Sequence, residues 1–420
     1  MVPVTAAQLA IFIEHLKNPT SLAYNIPFIA TVDRALALEN YTSAVNETAR
    51  CFEMLFSAYA RGQSGVVFTL LGPVEVEMTV FTTLDHAAEG LVRHFDLRRP
   101  PLVRAGIVPY DGHSTHLLLD FHHIASDGVS LAFFVDHLCR ALSGGSVEPH
   151  KPSFLNYALR LAPNSPQQDA RLTRLVAPPS ARAEWPGKRH TETMGKSNRL
   201  GYAVQSWRLD RNRVDEIRRF ARQTAQTPFK VCYFAFLVTT AAICGVENFV
   251  SGFVSAGRDG PYSDAYGMFS KIATLDADMS SGRSIRDTLQ RVSVSIARSI
   301  DVHGLQSRRV YRDNVKSAAD HVVLDALFVF HNTGFFARRP GDIRFKSFWS
   351  ARKEVQFGMV VNLEDLGPDS IGVQWEYSPN WYAAEDIHRF GATFEIMLSM
   401  LVEADLGAPL DTLLRRAWKV

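Results

Sequence analysis

After Thr5, whose hydroxyl can cap a first turn, apolar residues recur at helical spacing at Leu9, Phe12, Ile13 and Leu16. A helix opening near Ala6 is predicted. A second helix is predicted from 39 to about 60, with Ala44, Val45, Phe52, Leu55 and Phe56 along one face. Between and after them the runs FIATVDR, GVVFTLLG and VEVEMTVF have strand composition. Residues 101–108 and 115–121 are apolar, β-rich runs parted by Asp111, Gly112 and His113, the pattern of a hairpin. From Val129 the spacing of Leu131, Phe134, Val135, Leu138 and Leu142 is again helical and stops at Gly144 and Gly145. Residues 122–128 therefore fall on a loop between a strand and a helix, a common place for chemistry on a mixed scaffold.

From about 162 to 198 the composition shifts to Pro, Ser, Gln, Arg and Lys, including Pro163, Pro166, Pro178, Pro179 and Pro186. Such a stretch predicts a connection between bodies. Beyond it come the strand GYAVQSWRL, a helix over about 212–226, an apolar helix between Lys230 and Glu247, and the strands FVSGFVSAGR, DALFVFHN, VQFGMVVNLED and IGVQWEYSP. A helix from 384 to about 403 closes the series. The expectation is an α/β protein of two bodies, residues 1–165 and 199–420, joined by residues 166–198.

Composition narrows the class. Apolar residues make up 46 % and charged residues 21 % of 420 positions, which excludes disordered, collagen-like and coiled-coil chains. Lys and Arg number 45 against 43 Asp and Glu, a net charge of +2, so a duplex nucleic-acid partner is not implied. Cys51, Cys139, Cys232 and Cys244 show no C-x-x-C spacing and are too few for a disulfide framework. The apolar run before Glu247 is shorter than the roughly 18–20 residues of a bilayer span. The N-terminus has no positive n-region. A cytoplasmic location without membrane attachment is expected.

The sharpest chemical feature is the loop itself, Phe121, His122, His123, Ile124, Ala125, Ser126, Asp127 and Gly128, which fits HHxxxDG. Chance produces that pattern on the order of 10⁻³ times per chain of this composition. A histidine near neutral pKa can take a proton from an incoming amine or hydroxyl. His123 is the expected proton acceptor. His122 and Asp127 are expected to pin the loop by hydrogen bonds. Gly128 is expected to let the chain turn sharply and a substrate approach the backbone. No metal site is expected, because adjacent histidines rarely share one ion and no third ligand stands at a telling spacing.

FHHIASDGVS resembles, residue by residue, the active-site segment of the condensation domains of nonribosomal peptide synthetases. Weaker landmarks occur in the same order. TAAQ with Phe12 resembles the family's opening S-x-A-Q segment, Tyr24, Asn25, Ile26 and Pro27 its YNxP, and Phe154, Asn156, Tyr157 and Ala158 the tyrosine-rich motif after the catalytic helix. Further on, SAGR ending at Arg258, then Gly267 and Phe269, resembles the GR and GxF pattern, and Phe330, His331, Asn332 and Thr333 the QN strand end.

The resemblance implies two chloramphenicol-acetyltransferase-like lobes in a V-shaped pseudodimer around a tunnel. In that tunnel a thioester donor on the phosphopantetheine arm of a carrier protein meets a nucleophile, free or carrier-bound, at His123. It further implies that Arg258 holds Asp127 by a salt bridge, and that Gly128, Asn332 and Ser378 contact the substrate or its pantetheine arm. No cofactor bound directly is implied, and a monomer is expected.

Some landmarks depart. The RHExLRTxF of the family is CFEMLFSAY from Cys51 to Tyr59, and its FVNT is Phe269, Ser270, Lys271 and Ile272. These losses bear on the usual carrier and acceptor partners more than on the chemistry. No adenylation motif is found, and Ser143, Gly144, Gly145 and Ser146 lack the flanks of a carrier attachment site. The resemblance predicts an acyltransferase forming an amide or ester, with an epimerase of the same superfamily or a non-catalytic recruitment module as alternatives. Basic pairs at Arg98 and Arg99, Arg308 and Arg309, and Arg338 and Arg339 are expected to help dock an acidic carrier.

Overall fold

The computed structural model describes residues 1–34, 36–63, 65–161, 183–188, 201–258, 260–313, 324–332, 343–346 and 352–417. The first half contains β1 (Val2–Pro3), α1 (Ala6–Lys17), β2 (Asn25–Val32), α2 (Leu38–Arg50), β3 (Ser57–Gly62), β4 (Gly65–Leu70), β5 (Met78–Val80), α3 (Leu84–Leu91), β6 (Val103–Pro109), β7 (Thr115–His122), α4 (Gly128–Leu142) and α5 (Phe154–Arg160). Thr5 begins α1 with a reciprocal cap: its hydroxyl accepts from the Gln8 N–H, and the Gln8 carboxamide oxygen accepts from the Thr5 N–H. The helix predicted from 39 to about 60 ends at Arg50. Met54, Leu55 and Phe56 are all buried, in a 3₁₀ turn. From Ser57 the chain is a strand, with Ser57 and Tyr59 buried. Of VEVEMTVF only β5 is a strand.

The second half contains β8 (Ala203–Leu209), α6 (Arg211–Gln223), α7 (Pro228–Cys244), β9 (Asn248–Ser255), β10 (Lys271–Asp278), α8 (Ile285–Asp313), β11 (Ala326–His331), β12 (Ile343–Lys346), β13 (Met359–Asp365), β14 (Ile371–Tyr377), α9 (Ala384–Glu403) and α10 (Asp411–Ala417). Pattern reading overlooked α3, β10, α8, β12 and α10. The apolar helix is α7, started by a Thr227 cap with Pro228 in its first turn and stopped by Gly245 at φ +65°. Residues 231–241 are all buried, so α7 forms the axis of the second core.

The strands form three sheets, ordered β1-β4-β3, β12-β2-β7-β6-β5 and β10-β9-β11-β13-β14-β8. β5 runs parallel to β6, and β11 runs parallel to both β9 and β13; the other pairs are antiparallel. β6 and β7 form the expected hairpin, its turn closed by Asp111, which accepts from the His113 and Ser114 N–H groups.

Two large cores result. One holds residues from Val4 to Ala158 together with Ala265, Tyr266, Met268, Phe269, Ile343 and Phe345. The other runs from Ala183 to Leu413. Two segments from beyond residue 199 thus pack into the first core, one of them as β12, which pairs antiparallel with β2. Of the predicted 166–198 connection only 183–188 is described, and Ala183 and Trp185 pack in the second core; the remainder lies outside the described residues. No single helix among the described residues is long and apolar enough to cross a membrane. All four cysteines are free thiols.

Candidate active site

β7 ends on His122, and His123 is the first residue of the loop that follows. His122 is 4 % exposed, edge-on to the rings of His15 and Phe95. Its Nδ1 accepts from the Ile124 N–H at 3.2 Å, which leaves the ring proton on Nε2. Burial, reinforced by the charges of His15, His123 and Arg104, holds its pKa well below the ordinary value. His122 is a neutral structural residue.

His123 is half-buried and carries the opposite tautomer. Its Nδ1 lies 2.9 Å from the Ser126 carbonyl oxygen; a carbonyl only accepts, so Nδ1 donates and Nε2 keeps its lone pair. Its backbone N–H donates to the Tyr24 carbonyl at 2.8 Å. Burial lowers its pKa, the Asp127 carboxylate and the Ser126 carbonyl oppose that shift, and the Arg352 guanidinium adds to it.

The loop is held from both halves of the chain. The Ile124 carbonyl accepts from the Gln8 carboxamide at 3.1 Å and from the Tyr59 hydroxyl at 3.2 Å, which ties it to α1 and β3. Asp127 caps α4 by accepting from the Ser130 N–H at 2.9 Å. The structure brings Asp127 and Arg258 together in a bidentate pair with distances of 2.8 and 2.7 Å, Arg258 being 5 % and Asp127 1 % exposed. Asp127 also accepts from the Phe269 and Ser270 N–H groups at 3.0 and 3.1 Å. Burial raises its pKa, but the charge and hydrogen bonds of Arg258 and the backbone donors outweigh it and leave the pKa below the ordinary value. Beside the pair, Ser126 bonds the Tyr266 hydroxyl at 2.6 Å, and the Ser130 hydroxyl exchanges hydrogen bonds with the N–H and carbonyl of Gly267.

The clasp depends on close backbone approach at Gly257, which sits at φ +65°; a Cβ there would lie 2.0 Å from the Phe269 carbonyl oxygen. Gly257→Ala is therefore expected to lower stability by roughly 1–3 kcal/mol, the usual range for overpacking. Urea unfolding with an unchanged midpoint would contradict this close approach.

The condensation domain family model matches residues 1–412. The chain belongs to the condensation domain family. This condensation domain is 24 % identical over 436 aligned residues to surfactin synthase subunit 2 of Bacillus subtilis (strain 168), covering 99 % of the chain and 12 % of that subunit. It therefore spans a small part of the relative's length. Among solved structures, the condensation domain of the Monacolin K polyketide synthase MokA is similar at TM-score 0.80 and 15 % identity, over 97 % of this chain and 98 % of that one. The X-domain from teicoplanin biosynthesis is similar at TM-score 0.79 and 16 % identity, over 97 % and 96 %. The mixed α/β fold is that of these domains.

Within this condensation domain the remaining predicted residues take different places. Gly128 is the first residue of α4 and has no left-handed φ, so it is not there to make a sharp turn. It faces His331: a Cβ added to Gly128 would lie 3.6 Å from His331 Nδ1. Asn332 is exposed just beyond β11. Ser378 is fully buried, its N–H donating to the Gly358 carbonyl and its carbonyl accepting from the Trp381 and Tyr382 N–H groups, so in this conformation it presents no surface to a ligand. Of the basic pairs, Arg98 and Arg99 both flank Asp96 on the surface; the side chains of the other two pairs lie outside the described residues.

Sequence reasoning missed Arg352 and Glu376, joined at 2.6 Å with exposures of 13 % and 1 %. Glu376 alternates with the core residues Trp375 and Tyr377 on β14, and that alternation was the available signal. It also missed the docking of Glu354, which accepts from the Ser21 hydroxyl and the Leu22 N–H, and of Gln356, which donates to the Ala23 carbonyl.

Proposed function

We propose that this condensation domain joins a carrier-bound acyl or peptidyl thioester to an amine or hydroxyl nucleophile, forming an amide or ester in the assembly of a nonribosomal peptide or peptide-polyketide hybrid. The carrying observation is His123, with Nδ1 committed to the Ser126 carbonyl and Nε2 left as a neutral acceptor. The nucleophile attacks the thioester carbonyl carbon, and its proton passes to Nε2. When the tetrahedral intermediate collapses, the C–S bond breaks and the imidazolium returns the proton to the departing pantetheine sulfur. Charge and mass balance without a redox partner, and no cofactor bound to the domain itself is required. Asp127 acts at a distance by fixing the loop against Arg258. Holding the two reactants in line supplies several kcal/mol of the acceleration.

The test is intact-mass analysis of acyl-loaded carrier proteins incubated with the domain and a panel of amines, alcohols and aminoacyl carriers. The expected result is loss of the acyl mass from the donor with the matching gain on an acceptor, in the wild type and not in His123→Ala. Identical masses in both proteins across the panel would reject the reading.

A further inference from the structure

The six-stranded sheet has one face on its core; the other carries Leu327, Val329 and Val360 and, among them, a set of polar side chains. On β11, Phe328 and Phe330 point to the core while His331 falls on the other side. On β13, Val361 and Leu363 point inward and Asn362 outward; on β14, Val373 and Trp375 point inward and Glu376 outward. The register pairs Asn362 with Gln374 on β14, so the polar positions form a patch across the strands. This patch is sheltered rather than solvated: His331 is half-buried, and Glu376 is 1 % exposed and paired with Arg352.

What the patch faces is the histidine loop. His331 Nδ1 looks at Gly128, the residue next to Asp127. The Arg352 guanidinium acts electrostatically on both His331 and His123, and burial lowers the pKa of each, so both rings are neutral at cellular pH. His331 Nε2 lies 3.4 Å from the Asn362 carboxamide oxygen. That oxygen accepts, so Nε2 donates and the Nδ1 lone pair is turned toward Gly128.

We propose that His331 is a substrate-binding residue of the same reaction site, its Nδ1 accepting a hydrogen bond from the nucleophile while His123 Nε2 takes up the proton released on attack. The inference rests on the proposed condensation chemistry. A primary amine brings two N–H groups and can engage both acceptors. An alcohol brings one O–H and leaves one acceptor unmet. Loss of Nδ1 should therefore penalise amines and spare alcohols.

The test compares kcat/KM for an amine and an alcohol of the same carbon skeleton, with the donor found active by mass analysis, in wild type, His331→Phe and His331→Asn, each checked by thermal melting. Phe keeps the ring and removes both nitrogens; the Asn carboxamide places an acceptor near the old Nδ1. His331→Phe is expected to lose about tenfold on the amine, the worth of one neutral hydrogen bond, and to stay within twofold on the alcohol. His331→Asn is expected to recover most of the loss. Equal losses on both acceptors, no loss on the amine, or no recovery with Asn would overturn the proposal. If the panel shows no turnover, the condensation reading fails by itself, and ¹⁵N NMR of the histidine rings decides the inference separately. A His331 Nδ1 that is unprotonated at pH 8 and shifts on addition of 2,2,2-trifluoroethylamine, a primary amine that is neutral there, but not of 2,2,2-trifluoroethanol, supports it. A protonated Nδ1, or one that trifluoroethylamine leaves unmoved, overturns it.

Discussion

His123→Ala is expected to fold normally and to lose on the order of 10²-fold or more in acyl transfer, the contribution of a positioned proton acceptor. The fold is expected to survive because the loop is fixed by backbone and neighbouring groups: Ile124 by Gln8 and Tyr59, Asp127 by Arg258. The pH profile carries a second signature. With an alcohol acceptor, which does not itself titrate in this range, the limb reports His123: it must be neutral to act, and burial lowers its pKa from the ordinary 6.5, so activity persists below pH 6.5 and is lost as pH falls through the lower value. An acid limb above pH 6.5 on that acceptor, or near-full activity in His123→Ala with the fold confirmed, would remove His123 from the chemistry and favour a recruitment role.

Asp127→Ala and Arg258→Ala are each expected to lower stability by about 3–5 kcal/mol, because either change leaves a buried charge without its counter-ion. Activity should fall with stability, since Asp127 also accepts from the Phe269 and Ser270 N–H groups and caps α4. The pH dependence has a definite sign. The pKa of Asp127 in the folded protein lies below the 3.8 of an unperturbed aspartate, so its contribution is fully present above about pH 3.8 and disappears as pH falls through the lower folded value. Urea unfolding of both variants at neutral pH decides the matter; losses below 1 kcal/mol would mean that the pair is not a structural clasp.

The histidine loop was legible in the sequence because its elements are local. An apolar, β-rich run, a loop braced by an aspartate and a helix of period 3.6 follow one another within residues 115–142, and the pattern alone places His123 on the loop between them. Gln8 and Thr5 were visible as a helix start for the same reason, although nothing local announces that the Gln8 side chain reaches the Ile124 carbonyl 116 residues away. Where local patterns compete, reading failed. The helix drawn to residue 60 absorbed a 3₁₀ turn and a strand, since Phe52, Leu55 and Phe56 satisfy helical spacing while being buried for another reason. Arg352 and Glu376 stayed hidden because the alternation along β14 turns Glu376 away from the core, where a charge reads as solvated, and nothing local announces that Arg352 covers it.

The strand β12 has a consequence for how the protein is made. Its residues complete the edge of the sheet that begins with β2, and Arg344 pairs with Asp33, 311 residues earlier in the chain. Ile343 and Phe345 fill the first core from the same strand. Synthesis at roughly 5–20 residues per second separates the two partners by roughly 15–60 s. During that interval β2 carries an open row of backbone donors and acceptors, the kind of edge that pairs with other chains. The amino-terminal half cannot be finished before most of the carboxy-terminal half has left the ribosome, so the two bodies mature together although one is translated first.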